Sequence, residues 1–486
     1  MKALVGAAAF TSVSTLISLI VAVARTKVVA VVLGVGGVGV IGQVNTALQF
    51  AASLVAVGFA TAIVRRTAVA DDGEPGSASA LHITAYLVIL ALAAPLVLFL
   101  VFGPQEAVAR VLGEDTPPLA RLSLAVAVPL VAVANIESAI VRGLRNVRML
   151  TIATSLSAVV GLLLLGPLVL LFGLNGALAH VALFAGLTYG VSCIARMRAT
   201  RQAGYVVSVL ARPTRNALRV LLSYGSANAI AGVLNTATLL LVRAYVIGAL
   251  GVEANGIYQV VLGIPAQTLV VVLNTLSSYA FPLISGLRER GHVSDALNMA
   301  LRFTLLSGTP LIVGLVVFAA PLTRLLYSAQ FLAAADLLPI QLLGDFFKLV
   351  AWALGLSLLG RGHLVAFTLL DTLWNVVFAT GVLILTPRLG LSGTAVSYAV
   401  AYVVHTIATY TYQHRRESFR LARPNLQLVV VSVVLLTGAA ILARGGQFIL
   451  QLVYAGIGLS VWLWLGTQRA EWVTAWQTVT TRFRRL

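Results

Sequence analysis

Apolar segments long enough to cross a lipid bilayer dominate the sequence and most constrain its fold. A transmembrane helix needs about 20 apolar residues, and a backbone inside a bilayer must satisfy its polar groups internally, which favours helices. Of the 486 residues, 59% are hydrophobic and 10% are charged, whereas soluble domains carry about 25% charged residues. We therefore predict an all-α polytopic membrane protein. Its fourteen helices are expected over residues 3–33, 37–64, 80–102, 116–141, 149–172, 174–198, 217–249, 254–286, 296–320, 334–360, 363–386, 390–413, 425–443 and 447–466.

Basic residues lie mainly at the ends of these segments, and their distribution predicts the orientation. If the amino terminus is cytoplasmic, 23 basic residues fall on cytoplasmic connections and 5 on external ones. Cytoplasmic loops of membrane proteins are enriched in Lys and Arg, so both termini are expected in the cytoplasm. The net charge of +18 then reflects topology, and we expect membrane lipids rather than nucleic acid as partners.

A six-helix unit is repeated along the chain at an offset of 217 residues. LGVGGVGVIGQV at 33–44 recurs as LGVEANGIYQV at 250–260, and LNGALAHVALFAG at 174–186 recurs as LSGTAVSYAVAYV at 391–403. An even number of helices gives both copies the same orientation, as in parallel transporter repeats. The predicted parts are an N-lobe of helices 1–6 (1–200), a cytoplasmic linker (201–216), a C-lobe of helices 7–12 (217–413), a basic cytoplasmic loop (414–424), two extra helices (425–466) and a basic cytoplasmic tail (467–486).

Ionisable residues inside the predicted spans are the candidate functional residues, because each charge costs about 2.5–3.5 kcal/mol to insert. The cations are Arg25, Lys27, Arg243, Arg302 and Lys348, and the acids are Glu137, Asp345 and Asp371. Position 26 plus 217 is Arg243, so we expect it to face the Arg25/Lys27 pair across the lobe interface. The five cations are predicted to line a substrate-binding cavity. Arg25 and Lys27 point about 200° apart on a helix, and Arg25 is favoured as the residue facing the cavity.

Simpler roles are open for some of these charges. Asp345 and Lys348 are three residues apart on one helix and can pair, while Arg302 and Glu137 lie near helix ends and can snorkel. The three acids are otherwise candidates for ion coupling. The excess of cations favours an anionic ligand, and guanidinium matches phosphate in geometry. The joint between the first two helices is predicted to be a glycine hinge formed by Gly34, Gly36, Gly37 and Gly39.

Motifs for catalysis are not found in the sequence. A phosphate-binding P-loop needs Gly-Lys-Ser/Thr, and none of the three lysines has that context. The six His and one Cys show no metal-ligand spacing, and no paired carboxylates stand out. We therefore expect a protein that is not an enzyme and needs no cofactor or metal.

The arrangement of six, six and two helices, with a basic residue late in helix 1 before LGVGGVGVIGQVN, resembles the polysaccharide repeat-unit (O-antigen, Wzx-type) flippases. These belong to the multidrug/oligosaccharidyl-lipid/polysaccharide (MOP) exporter superfamily, which also contains MATE transporters. The segments QLLGDFFKLVAWALGLSLLGRGHL (341–364) and GFATAIVRRTA (58–68) are similar to the branch of the enterobacterial common antigen lipid III flippase.

The resemblance implies a bacterial inner-membrane protein that moves undecaprenyl-pyrophosphate-linked oligosaccharides from the cytoplasmic to the periplasmic leaflet. It implies alternating access tied to an ion gradient, a cationic cavity for the pyrophosphate, and a polysaccharide polymerase and a chain-length regulator as partners. Three alternatives stay open: a cation-coupled multidrug exporter of the same superfamily, a lipid II flippase, and a membrane scaffold that transports nothing.

Overall fold

The computed structural model describes residues 2–56, 58–69, 75–114, 116–205, 212–287 and 289–467, and these form helices joined by short turns. The predicted tail is described only at residue 467, and residues 206–211 of the predicted linker also lie outside the described residues. The helices are α1 (Lys2–Ala56), α2 (Phe59–Val69), α3 (Pro75–Phe102), α4 (Gln105–Leu112), α5 (Leu119–Gly143), α6 (Val147–Gln202), α7 (Arg215–Leu250), α8 (Val252–Ser285), α9 (Arg290–Val317), α10 (Ala319–Leu326), α11 (Ala333–Gly360), α12 (Leu364–Leu389), α13 (Ser392–Glu417), α14 (Arg423–Arg444) and α15 (Phe448–Thr467).

Eleven of the described helices are long and apolar enough to span a membrane, which makes this a multi-pass membrane protein. Two of them, α1 and α6, are longer than one span needs, and each is broken by a single non-helical glycine, Gly34 in α1 and Gly173 in α6. Each therefore provides two spans, and the breaks lie at the predicted joints. The more polar α13 supplies one further helix, so the prediction of an all-α polytopic fold is confirmed and the fourteen predicted spans are consistent with it.

The backbone repeats its conformation at the offset that the sequence predicted. Gly34 has φ 63° and ψ −165°, and Gly251, 217 residues later, has φ 91° and ψ 169°. Gly173 has φ 55° and ψ −132°, and Gly390 has φ 59° and ψ −144°. Such angles are rare for residues that carry a Cβ. Two joints that need glycine therefore recur in both copies of the repeat.

A third pair of repeat-related positions has a similar backbone conformation but different residues. Arg145, between α5 and α6, has φ 56°, and its counterpart Gly362, between α11 and α12, has φ 76°. The hydrogen bonds of the two turns also correspond, since the N–H of Arg145 donates to Arg142 and that of Gly362 to Leu359. The same turn is thus built around arginine in one copy and glycine in the other.

The second span of α1 and the start of α8 approach each other through repeat-related glycines. A Cβ on Gly39 would lie 3.0 Å from the nitrogen of Gly256 and would overlap the carbonyl oxygen of Val252, while a Cβ on Gly256 would overlap that of Val35. The two helices can pack this closely because neither glycine carries a side chain. Within the predicted hinge, Gly34 alone breaks the helix, while Gly36, Gly37 and Gly39 are helical.

The chain forms two compact units, Met1–Val260 with Arg324–Phe331, and Val261–Thr323 with Leu332–Leu486. The interior of the first is built from buried apolar residues of α1, α2, α3 and α5. In the second, α14 and α15 pack on α9 through a buried chain in which Trp462 Nε1 donates to Ser432 Oγ (2.9 Å) and Ser432 contacts Thr309 (3.1 Å). The division into two six-helix lobes with a linker at 201–216 stays a prediction.

Candidate functional site

Arg25 lies in the first span of α1, half-buried, with its guanidinium against an aromatic ring. The guanidinium carbon is 5.3 Å from the centre of the Phe184 ring in the second half of α6. Among the described side chains, no carboxylate lies within salt-bridge distance of Arg25 and none of its N–H groups is engaged in a hydrogen bond. The cation is therefore held by a π face while its N–H donors stay uncommitted.

Lys27, two residues further along α1, has a different kind of partner. Its ammonium donates to the main-chain oxygens of Arg324 (2.9 Å) and Tyr327 (2.5 Å). These carbonyls lie at the carboxyl-terminal end of α10, where a cation is favourable because the last carbonyls of a helix lack backbone partners. Lys27 thus joins α1 to the end of α10, whereas Arg25 contacts α6.

Arg243, on α7, is buried with 2% of its surface exposed and has only neutral hydrogen-bond partners. It donates to Asn255 Oδ1 (3.0 Å), Thr46 Oγ1 (3.1 Å) and Gln259 Oε1 (2.6 Å). A Cβ on Gly42 would overlap its guanidinium, so the group packs against bare helix backbone. Arg243 therefore links α7 to the second span of α1 and to α8. The expected pairing of Arg243 with Arg25 and Lys27 across a lobe interface stays a prediction.

Two buried amides, Asn255 and Gln43, lie on the helices that Arg243 links to α7. The side chain of Asn255 donates to the main-chain oxygen of Gly39 (2.7 Å) as it accepts from Arg243. Gln43, fully buried, donates to the main-chain oxygen of Val111 at the end of α4. The sequence contained a signal for Gln43. The second copy of the repeat is one residue shorter after Gly256, so Gln43 corresponds to Gln259, and both are polar residues inside otherwise apolar segments.

Lys348 and Asp345 of α11 form the pair that their spacing suggested. Lys348 Nζ lies 3.9 Å from Asp345 Oδ1, and Tyr398 of α13 donates its hydroxyl to the same oxygen (2.8 Å). The ammonium also lies 5.9 Å from the centre of the Tyr402 ring. Asp345 is 2% exposed, so the lysine compensates a buried carboxylate.

The remaining predicted residues are dispersed over other helices. Arg302 on α9 donates to the main-chain oxygen of Gly466 in α15 (2.9 Å). Glu137 on α5, 3% exposed, forms an ion pair with Arg196 of α6 and accepts a hydrogen bond from Tyr86 (2.9 Å).

Asp371 on α12 is half-buried, and no partner of its carboxylate is found among the described residues. Its main-chain oxygen accepts from Asn375 (2.8 Å). The described residues contain no cluster of three metal-ligating side chains.

The five predicted cations therefore fall into two groups. Lys27, Arg243, Arg302 and Lys348 donate to carbonyl, amide or hydroxyl oxygens or lie beside a carboxylate. Arg243 does so through Nε and Nη1, while its buried Nη2 has no partner among the described residues. Arg25 lies in an apolar span, and all of its donors are without a hydrogen-bond partner among the described residues. An anion that reaches this part of α1 would meet a guanidinium whose N–H donors are not engaged by any described residue.

A model of the polysaccharide biosynthesis protein family matches residues 28–336 of the sequence. The chain belongs to this family. The match includes Arg243, Arg302 and Glu137, and it begins just after Arg25 and Lys27. Among curated proteins, none matches the sequence significantly.

Solved structures of MOP-superfamily proteins share the fold. A multidrug resistance MATE family transporter of the MOP superfamily, in an inward-facing conformation, superposes with a TM-score of 0.67 at 17% identity, covering 83% of this chain and 94% of the other. The lipid II flippase MurJ, in an inward closed conformation, gives 0.64 at 15% identity, covering 94% and 98%. A MOP superfamily transporter from Pyrococcus furiosus gives 0.62 at 17% identity, covering 85% and 95%. The chain has the fold of this superfamily.

Proposed function

We propose that this protein is a lipid-linked oligosaccharide flippase, which moves undecaprenyl-pyrophosphate-linked glycan units from the cytoplasmic to the periplasmic leaflet by alternating access. Membership of a polysaccharide biosynthesis family supports a glycan cargo, and the MOP-superfamily fold supports transport. The enterobacterial common antigen lipid III branch is the proposed relationship within the superfamily. The protein would lie in the bacterial inner membrane with both termini in the cytoplasm.

The observation that carries the proposal is Arg25. A cation inside an apolar helix is costly to insert, and it is stabilised here by an aromatic ring rather than by a carboxylate. A pyrophosphate group carries negative charge and several acceptor oxygens, which match the in-plane N–H donors of guanidinium. Arg25 is therefore the proposed contact for the pyrophosphate of the cargo.

Coupling to an ion gradient is part of the proposal, and Asp371 is its proposed site. Asp345 and Glu137 are each beside a cation, Lys348 and Arg196 respectively. Binding a proton or Na⁺ at either of them would compete with that cation, whereas Asp371 has no such competitor among the described residues.

Complementation in a strain that lacks the native gene tests the proposal. Arg25→Gln removes the charge, and losing a hydrogen bond to a charged group costs about 1.5–3 kcal/mol, so we expect surface polysaccharide to fall at least about tenfold at unchanged protein level. Arg25→Lys should retain part of the activity. Thr26→Ala, in the same turn, is the matched control and should support normal polymer.

The same variants separate a flippase from an exporter of organic cations. A cationic drug is repelled by Arg25, so export of such a drug would be unaffected or improved by Arg25→Gln. Normal surface polysaccharide from Arg25→Gln, measured beside equal amounts of protein by immunoblot, would rule out the proposed site.

A further inference from the structure

Arg25 is the first member of a chain of contacts that continues through Phe184, His180 and Gly161, and the proposed function does not account for these three. The Phe184 ring is stacked on the imidazole of His180, with the ring centres 5.5 Å apart and the planes 18° apart. His180 Nε2 donates in turn to the main-chain oxygen of Gly161 (2.9 Å). Arg25, Phe184, His180 and Gly161 thus form a continuous stack, which we call the Arg25 column.

We propose, on the basis of the proposed function, that Phe184 and His180 are positioning residues that hold the guanidinium of Arg25 ready for the pyrophosphate of the cargo. The hydrogen bond to Gly161 fixes the orientation of the imidazole, and the imidazole supports one face of Phe184. The guanidinium carbon of Arg25 lies over the same ring, 5.3 Å from its centre. Neither residue needs to touch the cargo for this role.

Gly161 is required for the column by its lack of a side chain. A Cβ at this position would lie 2.5 Å from the Cδ2 and Cε2 atoms of Phe184, closer than two carbon atoms can approach. The break at Gly173 folds the two halves of α6 back on each other, so that Gly161 in the first half meets His180 and Phe184 in the second. Gly161 thus provides both the space for the Phe184 ring and the main-chain oxygen that accepts the hydrogen bond from His180.

A cation that must bind an anion is better supported by an aromatic ring than by a carboxylate. Cation–π attraction stabilises the charge from above the guanidinium plane, whereas the donors that bind phosphate lie in that plane. A carboxylate would occupy those donors and cancel the charge. Lys348 illustrates the contrast, because it has an aromatic neighbour in Tyr402 but also lies beside Asp345.

The second copy of the repeat has different residues at the three positions of the column. Adding 217 to 161, 180 and 184 gives Phe378, Ser397 and Ala401. The corresponding helix pair, α12 and α13, has a phenyl ring in place of the glycine, and the ring of Phe378 lies 5.8 Å from that of Tyr398. The two copies therefore pack this helix pair with different groups, which is consistent with a local role for the column beside Arg25.

Binding of farnesyl pyrophosphate to the purified full-length protein in detergent tests the inference, with affinity and melting temperature measured on the same samples. Phe184→Leu keeps apolar volume but removes the π face, and we expect affinity to fall about 3- to 30-fold. Phe184→Tyr should bind like the wild type. Phe172→Leu, on an exposed phenylalanine of the same helix, is the matched control and should not change affinity.

A double variant distinguishes positioning from packing. If Phe184 acts through the cation, Phe184→Leu should not weaken binding further in an Arg25→Gln background. An equal loss in both backgrounds would overturn the positioning role. Should Phe184→Leu fail to fold, phenylalanine with one, two and three ring fluorines at position 184 keeps the shape while weakening the π face, and affinity should fall stepwise. Unchanged affinity across that series would also overturn the role.

The proposed function can fail separately. If the wild type binds farnesyl pyrophosphate and Arg25→Gln binds it less well, but Phe184→Leu does not, the positioning inference is wrong and the pyrophosphate site stands. If the wild type does not bind the probe, or Arg25→Gln binds it as tightly, the pyrophosphate site fails and the inference fails with it.

Discussion

Replacing Gly34 with alanine measures the energetic value of the joint between the two spans of α1. Gly34 has φ 63° and ψ −165°, a region that is essentially restricted to glycine and costs other residues about 1–3 kcal/mol. Gly36, two residues later, is helical, and a Cβ there would make an ordinary 3.4 Å contact with Glu253 Oε1. Gly36→Ala is therefore the matched control, and alanine should gain about 0.8–1 kcal/mol there as a better helix former.

The two substitutions should thus differ by about 2–4 kcal/mol in the free energy of unfolding, with Gly34→Ala the less stable. Thermal unfolding in detergent can be followed with a thiol-reactive dye, because Cys193 is the single cysteine. Gly251, which has φ 91° and ψ 169°, should respond to alanine as Gly34 does. An equal or higher unfolding temperature for Gly34→Ala than for Gly36→Ala would refute the reasoning.

Two further predictions concern strain and charge. Arg145 adopts a left-handed conformation, and its counterpart in the second copy is the glycine Gly362. Arg145→Gly should therefore stabilise the protein by about 0.5–1 kcal/mol, and Gly362→Ala should destabilise it by about 1 kcal/mol. A lower unfolding temperature for Arg145→Gly than for the wild type would contradict this. Lys348→Met leaves the buried carboxylate of Asp345 without its cation. The loss should be about 3 kcal/mol, the low end for a broken buried ion pair, because the Lys348 side chain is 33% exposed. The double variant Asp345→Asn/Lys348→Met should recover most of the loss in the same unfolding assay. No recovery would mean that Lys348 does not act through Asp345.

The helices and the repeat could be predicted from the sequence because both can be recognised in short stretches of residues. Apolar segments interrupted by glycine predicted the joints near 34 and 173. The offset of 217 residues came from short similar segments, and it was then also found in the backbone of Arg145 and Gly362, which lie outside those segments. The pairing of Asp345 with Lys348 was accessible for the same reason, since neighbours three apart on a helix face the same side.

The partners of the cations could not be predicted, because they lie far away in sequence or carry no residue-specific signal. Lys27 donates to carbonyl oxygens 297 and 300 residues away, and every residue has a carbonyl. Phe184 is one of 18 phenylalanines, and its position below Arg25 depends on the fold of α6. Which cation keeps its donors free is therefore decided by packing, not by spacing along the chain.

The turn shared by Arg145 and Gly362 bears on how the chain arose. Two copies that retain the same backbone angles where their residues differ are the expected result of a tandem gene duplication followed by divergence. If the repeated unit has the six helices that the sequence predicts, it begins and ends on the same side of the membrane, and its duplicate inserts in the ancestral orientation without an inverted intermediate. A glycine ancestral to both turns would make Arg145 a later substitution, tolerated because the rest of the turn was already fixed.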